Sequence, residues 1–337
     1  VREIHVQGTA YDDVIMTETD DLSSHDVRNW IDAKEGNDFI QSGGGGDEIR
    51  PGKGIDFIDG GASGTEGDSW NRRDQIRLDV DSGTFEYREL NEAEVSAFMA
   101  EHFAEQNYVY NASQSYYLFS DTNIIDGWGQ KLITNIDFVR FDDTDIELQV
   151  SISGGYDAEN MEAWFDKKGT DFADFVDNSG LQDVLPVDAP ALAALDYRLS
   201  FQLGGGDDVA IGGIERNDFQ EGKGNDLYIG SLSNEDGSAR DIVQYQNQLA
   251  RYDVQKLSAG DMVYAIDGDA SSELIYDLSQ IATAGVITTA DNRTVNLGGE
   301  ADSVFVVRDL VSDAQGGSGV DLLVNIDKIQ VPNDSLY

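Results

Sequence analysis

Three aspartates, Asp38, Asp47 and Asp56, stand at steps of nine residues (47 − 38 = 9 and 56 − 47 = 9). Each lies two places after a glycine, Gly36, Gly45 and Gly54, and two places before an isoleucine, Ile40, Ile49 and Ile58. The chemistry open to such a set is the capture of a hard cation. Glycine reaches φ > 0 without steric cost, so the chain turns sharply with its carbonyls directed inward. The aspartate adds a charged oxygen to those carbonyls, and the isoleucine sits on a short strand that points to a core. Rows of this kind coil into a parallel β-roll with two rows per full turn. Asp38 and Asp56 then stack on one edge and Asp47 lies on the other. Ca²⁺ between stacked turns takes about six to eight oxygen ligands at about 2.3–2.6 Å. A donor set made only of hard oxygens selects Ca²⁺ over Zn²⁺ or Cu²⁺.

The same elements return later in the chain. Gly206 and Asp208 lead to Gly224 and Asp226, a step of 226 − 208 = 18. The row between them carries Asn217 at the aspartate place, and that edge is expected to bind more weakly. An early degenerate row, Gly8–Ile15, places Asp13 correctly but has Tyr11 where a glycine belongs. Its step to Asp38 is 38 − 13 = 25, so an insertion near Thr17–Trp30 interrupts the coil. The expected ligands of several Ca²⁺ ions are therefore Asp13, Gly36, Asp38, Gly45, Asp47, Gly54, Asp56, Gly206, Asp208, Asn217, Gly224 and Asp226.

Two longer repeats organise the elements that must position these residues. Gly52–Ile58 recurs as Gly222–Tyr228 (222 − 52 = 170), and Leu132–Asp137 recurs as Leu322–Asp327 (322 − 132 = 190). The reading is a mainly β chain of two homologous tandem units, 1–150 and 151–337. Each is a short calcium-binding parallel β-roll joined to further strands with a few helices. Strand patterning is seen at Gln75–Val80, Asp241–Tyr245, Arg251–Gln255, Met262–Ile266 and Ser303–Val307. Closing strands are expected at Ile136–Phe141 and Ile326–Val331. Asn91 and Glu94 form a capping box before Val95, Phe98, Met99 and Phe103 at helical spacing. A second helix is expected through Met161, Trp164, Phe165, Phe172 and Phe175. Leu185–Pro190, with two of the four prolines, is read as a linker or loop near the start of the second copy.

Composition narrows the function. Lys plus Arg is 22 and Asp plus Glu is 65, so the net charge is 22 − 65 = −43. That excludes nucleic acid and anionic membrane surfaces as partners, since both need a basic footprint. Apolar residues at 40% allow folded cores, and 36 Gly against 4 Pro marks the glycines as more than linker filler. A charge of this size repels itself. It is relieved by the counterions of a salt-loving habitat or by bound cations, and the aspartate rows favour the cations. With no Cys, disulfides and thiolate metal sites are excluded. No apolar run of about 18 residues is present, and Val1–Met16 shows no signal-peptide pattern. A start on Val1 rather than Met is expected of a piece of a longer polypeptide.

Catalytic motifs are missing. His5, His25 and His102 are scattered, and no Gly-x-Ser-x-Gly, phosphate loop or dinucleotide fingerprint occurs. Carboxylate pairs are too common here to single one out. Asp79–Gly83, Asn234–Gly237 and Asp267–Asp269 read as polar turns in preference to further calcium loops. Tyr108, Tyr110, Tyr116, Tyr117 and Trp128 read as strand core or cross-strand pairs in preference to a sugar- or peptide-binding face.

The rows at 33–61 and 203–231, with the weaker row at 8–16, resemble the Gly-Gly-x-Gly-x-Asp-x-aliphatic repeats of the RTX (repeats-in-toxin) family, the hemolysin-type calcium-binding proteins. The strands that end in Asn-Ile-Asp resemble the segments that follow such repeats there. The chain departs in its few rows, in Tyr11 and Asn217, and in its long β and α insertions. The resemblance implies type I secretion from a Gram-negative bacterium and folding on Ca²⁺ outside the cell or on its surface. It implies a structural or adhesive module of a large adhesin, with a carbohydrate or cell-surface ligand as partner. The alternative it leaves is a calcium-binding accessory region of a secreted polysaccharide-acting enzyme or protease. A third reading, from the residues alone, is a catalytic domain within the β insertions.

Overall fold

The computed structural model describes residues 2–17, 27–61, 73–123, 127–186, 189–214, 216–231, 240–265, 272–290, 293–297, 301, 303–311, 317–332 and 334–336. Asn234–Gly237, Asp267–Asp269 and His25 lie outside the described residues. The chain divides into two compact units, Val1–Gln149 and Val150–Tyr337.

In the first unit the chain alternates between two sheets. One holds β1 (Arg2–Gln7), β3 (Val27–Asp32), β5 (Glu48–Arg50), β7 (Gln75–Arg77) and β11 (Phe138–Arg140), all parallel, with the antiparallel β12 (Asp145–Glu147) at its edge. The other holds β2 (Val14–Met16), β4 (Phe39–Gln41), β6 (Gly54–Asp59) and β10 (Gly129–Thr134), also parallel. The antiparallel β9 (Tyr116–Asp121) and β8 (Phe85–Glu89) extend this second sheet. This is a parallel β-roll. Ile15, Ile40, Ile58 and Ile133 line one sheet and Ile31, Ile49, Ile76 and Val139 the other, and all are buried. Branched side chains at matching registers give such short strands their cohesion.

Alternation along a strand sends the neighbouring residues to the opposite face. On the second sheet those residues are Phe39, Phe57 and Leu132, and they are buried too. Their cover is α1 (Glu92–His102), whose Val95, Phe98 and Met99 join Phe103 and Tyr116 in one cluster with them. The expected capping box is present. Asn91 Oδ1 accepts from the Glu94 N–H at 3.1 Å and Glu94 Oε2 accepts from the Asn91 N–H at 3.1 Å.

The second unit is also a mainly parallel two-sheet coil. One sheet runs β13 (Ser151–Asp157), β14 (Glu162–Lys168), β16 (Asp196–Gln202), β18 (Arg216–Gln220), β20 (Ile242–Gln244), β28 (Lys328–Val331) and β29 (Asp334–Leu336). The other runs β15 (Phe175–Val176), β17 (Val209–Ile211), β19 (Leu227–Ile229), β27 (Val320–Val324), β26 (Val304–Asp309) and β21 (Tyr252–Lys256). A third sheet, of β22 (Met262–Tyr264), β23 (Leu274–Asp277), β24 (Val286–Thr289) and β25 (Thr294–Asn296), is antiparallel throughout. Val263, Ile275, Tyr276, Ile287 and Val295 pack from it onto Val209, Leu227 and Leu322. The cover that a helix supplies in the first unit is thus supplied by a sheet in the second.

The helix expected through Met161–Phe175 is not formed. Glu162–Lys168 is a strand in which Ala163, Phe165 and Lys167 are buried and the residues between them are exposed. The period is two, not 3.6, and the partner strand brings Gly154 and Gly155 against Phe165 and Trp164. Apolar residues three and four apart fit a helix by coincidence here. The described residues of Leu185–Pro190 form a loop inside the second unit, and Leu185 belongs to that unit's core. The closing strands begin two residues late, at Phe138 and Lys328, because Asn135 and Asn325 adopt left-handed turns (φ 54° and 56°).

Candidate metal site

Most row aspartates stand immediately before a strand, with Asp56 and Asp321 inside β6 and β27, and along each row a backbone N–H donates to a carboxylate oxygen in the next turn. On one edge of the first unit, Asp13 N–H donates to Asp38 Oδ1 and Asp38 N–H to Asp56 Oδ1, each at 2.8 Å. On the other edge, Asn29 N–H donates to Asp47 Oδ1 and Asp47 N–H to Asp74 Oδ1, each at 2.7 Å, and Asp74 N–H donates to Asp137 Oδ2 at 2.6 Å. The second unit repeats the device. Asp174, Asp208 and Asp226 donate in turn to Asp208, Asp226 and Asp321 at 2.8, 3.0 and 3.1 Å. Asn217 and Asp241 donate to Asp241 and Asp327, each at 2.9 Å.

These bonds use one carboxylate oxygen and leave the other. Asp38, Asp47 and Asp74 are fully buried and Asp208 is nearly so. In each of the four, Oδ2 has no hydrogen-bond partner. A buried anionic oxygen without a partner is costly, and it is the donor that a hard cation would use. Burial is the main cause of the carboxyl shifts. It raises Asp38 to about 7, and Asp47, Asp56 and Asp241 to about 6. Asp74, Asp208, Asp226 and Asp321 rise for the same first reason, and neighbouring carboxylates add to it.

The glycines supply the rest of the cradle. Gly54 sits at φ 142°, where a Cβ would come within 1.7 Å of Gly36 O in the turn below. Gly224 sits at φ 115°, with Gly206 O at 2.1 Å from such a Cβ. Only glycine lets successive turns stack so closely, and the stacking brings carbonyl oxygens beside the carboxylate row. Gly45 and Gly206 share the positive φ (116° and 102°). Among the described residues no group of three His, Asp or Glu side chains gathers as a metal cluster. Any cation here would be held by carboxylates and main-chain carbonyls together, a donor set that fits Ca²⁺.

Four expected ligands are otherwise engaged: Asp56 Oδ2 lies 2.6 Å from Lys131 Nζ, Asp226 Oδ2 accepts from the Tyr228 hydroxyl at 2.8 Å, and Asp13 and Asn217 are bonded locally. Asp13 Oδ2 accepts from Thr9 N–H at 2.6 Å, and Asp13 is only half-buried. Asn217 Oδ1 accepts from Gly213 N–H at 2.9 Å, while its Nδ2 donates to Gly213 O at 3.0 Å and to Asp241 Oδ1 at 2.8 Å. The rows also include residues outside the expected set: Asn29, Asp74, Asp137, Lys131, Asp174, Asp241, Asp321 and Asp327, of which Asn29 and Asp74 keep the nine-residue step (38 − 29 = 9 and 74 − 56 = 18). A quieter signal marks most of them, an aspartate followed two places on by an aliphatic residue, as in Asp74-Gln75-Ile76 and Asp241-Ile242-Val243. A second ladder runs beside the first. Asp12 Oδ1 accepts from Asn37 N–H and Asn37 Oδ1 from Ile55 N–H, both at 2.8 Å.

The aromatic set is core and turn packing. Tyr116 and Tyr117 are buried, Tyr117 donates to Leu148 O at 3.1 Å, and the Tyr108 and Tyr116 hydroxyls meet at 2.8 Å.

No family model and no curated protein matches the chain. Among solved structures it is similar to the extracellular lipase LipA of Serratia marcescens, at 14% identity over 97% of this chain and with a TM-score of 0.19. The chain spans 38% of the length of that lipase chain. Fold and rows together define a mainly β protein of the parallel β-roll class. No described helix is long and apolar enough to cross a membrane.

Proposed function

We propose that this chain is a calcium-binding region of an exported protein, and that its β-roll units become ordered when Ca²⁺ enters between stacked turns. The observation that carries this reading is the set of unpartnered, buried Oδ2 atoms of Asp38, Asp47, Asp74 and Asp208. Each belongs to a residue whose other oxygen already holds the preceding turn. Without a cation these carboxylates repel and lack solvation; with one, binding free energy becomes folding free energy. Extracellular sites of this kind typically dissociate at about 10⁻⁴–10⁻³ M, so a calcium-poor cytosol would leave the chain open and the outside would close it. In that setting the module stiffens a larger surface protein or displays a face for adhesion.

The test is a calcium titration followed by circular dichroism and calorimetry. The expected result is a rise in β signal and melting temperature with Ca²⁺ and a much smaller one with Mg²⁺. Fold and melting unchanged on chelation would overturn the reading. Calcium-dependent binding to a glycan array would support the adhesive role.

A further inference from the structure

The first-unit row Asp13, Asp38, Asp56 does not end in a fourth carboxylate. Lys131 stands in that place, its backbone in register with Asp56 across β10 and β6. Its side chain is fully buried. Nζ lies 2.6 Å from Asp56 Oδ2 and donates to Gly54 O at 2.9 Å and to Trp128 O at 2.7 Å. An ammonium has three donors and no acceptor, and here three oxygens from two successive turns surround it. They are an aspartate carboxylate, the carbonyl of the glycine two places before it, and a carbonyl of the following turn. That is the donor set argued above for Ca²⁺.

The second unit shows the same place without the ammonium. Gly224 N–H donates to Ser318 O at 3.1 Å, as Gly54 N–H donates to Trp128 O at 3.1 Å. The residue in the row is Asp321, whose Oδ1 accepts from Asp226 N–H at 3.1 Å. One roll therefore ends its row in a positive charge and the other in a negative one.

We propose that Lys131 is a chain-borne cation that fills the last cation position of the first unit's row, so that this position takes no Ca²⁺. The inference rests on the calcium reading of the rows. It means that β6 and β10 stay joined at calcium levels too low to join β19 and β27. The first unit then closes at a lower concentration than the second.

The experiment counts calcium ions per chain by equilibrium dialysis and follows melting in excess chelator and in millimolar Ca²⁺. It compares the full chain with Lys131→Asp and Lys131→Met. Lys131→Asp is expected to bind one ion more than the parent. Lys131→Met is expected to melt lower in chelator and to recover much of the deficit in Ca²⁺. An unchanged count, with the same melting deficit in both conditions, would overturn the inference and leave Lys131 as an ordinary buried ion pair. A parent chain that binds no calcium would instead overturn the calcium reading itself.

A measurement on the parent chain covers the case in which neither variant folds. Acetic anhydride labelling in Ca²⁺, mapped by peptide, should leave Lys131 unmodified while the exposed Lys223 reacts. Labelling of Lys131 at the rate of Lys223 would show that an ion displaces the ammonium, and would equally overturn the proposal.

Discussion

The first and second units build one device from opposite charges. In the first, Asp56 faces an ammonium held by two carbonyls. In the second, Asp226 faces Asp321, and the relief comes from hydroxyls: Tyr228 donates to Asp226 Oδ2 and Tyr245 to Asp321 Oδ2, each at 2.8 Å. A tyrosine hydroxyl satisfies an oxygen without neutralising its charge. The backbone of a β-roll is therefore indifferent to the sign of the charge in its row, provided each N–H finds an oxygen in the next turn. The sign decides instead what must arrive from solution.

The largest expected effect is a difference in response to neutralising one aspartate. Removing one partner of a buried ion pair typically costs about 3–5 kcal/mol. Asp56→Asn strands the Lys131 ammonium, and a loss toward the lower end of that range is expected in chelator. Asp226→Asn removes a repulsion instead, so in chelator at pH 8 it should be neutral or stabilising. Both should bind calcium less well. Denaturant melts of the two variants, with and without calcium, check this; equal losses in chelator would erase the contrast between the units.

Next in size is the response to chelation itself. Hydrogen exchange read by peptide should show β19 and β27 losing protection about 100-fold, equivalent to about 2.7 kcal/mol. β6 and β10 should lose markedly less. Loss to the same degree in both pairs would break the comparison.

A smaller effect follows from pH. In chelator, burial holds Asp38 at about 7 and Asp47, Asp56 and Asp241 at about 6, all above the ordinary aspartate value. The folded state thus binds protons more tightly than the unfolded chain. Its contribution is complete below about pH 4 and is lost as pH rises through 6 to 7. The chelated protein should melt several degrees higher at pH 5 than at pH 8. In calcium the order should reverse, because protons compete with the ion for the same oxygens. Scanning calorimetry at the two pH values distinguishes the cases, and parallel behaviour with and without calcium would count against the rows as ion sites.

How much of this was legible depended on the length of chain between neighbouring turns. Asp38 and Asp56 lie 18 residues apart and follow matched glycines, so residue type, spacing and periodicity agreed. Asp47 and Asp74 are 27 apart and Asp226 and Asp321 are 95 apart. The first of these keeps the nine-residue step but has lost the glycines before Asp74, whereas the long insertion before Asp321 resets the count although Gly316, Gly317 and Gly319 still precede it. Lys131 was hidden for a different reason. Lys131-Leu132-Ile133 keeps the phase of Asp56-Phe57-Ile58, but a search for carboxylates discards a lysine. The repeat of Asn-Ile-Asp at 135–137 and 325–327 was visible, yet its cause was not. The asparagine makes a left-handed turn, the isoleucine fills the core, and the aspartate joins the far row. Trp164 and Phe165 misled because strand and helix periods both fit so short an apolar pattern.

The smallest expected effect isolates the cover from the row. Asn91 caps α1, and α1 packs on Phe39, Phe57 and Leu132 behind the carboxylates rather than on them. Replacing an N-cap asparagine by alanine costs about 1 kcal/mol. Asn91→Ala should therefore lower the melting of the first unit by a few degrees, equally in chelator and in calcium, with the count of bound ions unchanged. An equal shift assigns the helix to hydrophobic cover alone. A shift larger in calcium than in chelator would show instead that burying the sheet's outer face sets the strength of the ion positions. The second unit's antiparallel sheet would then be the next element to weaken, and Ile275→Ala the substitution with which to do it.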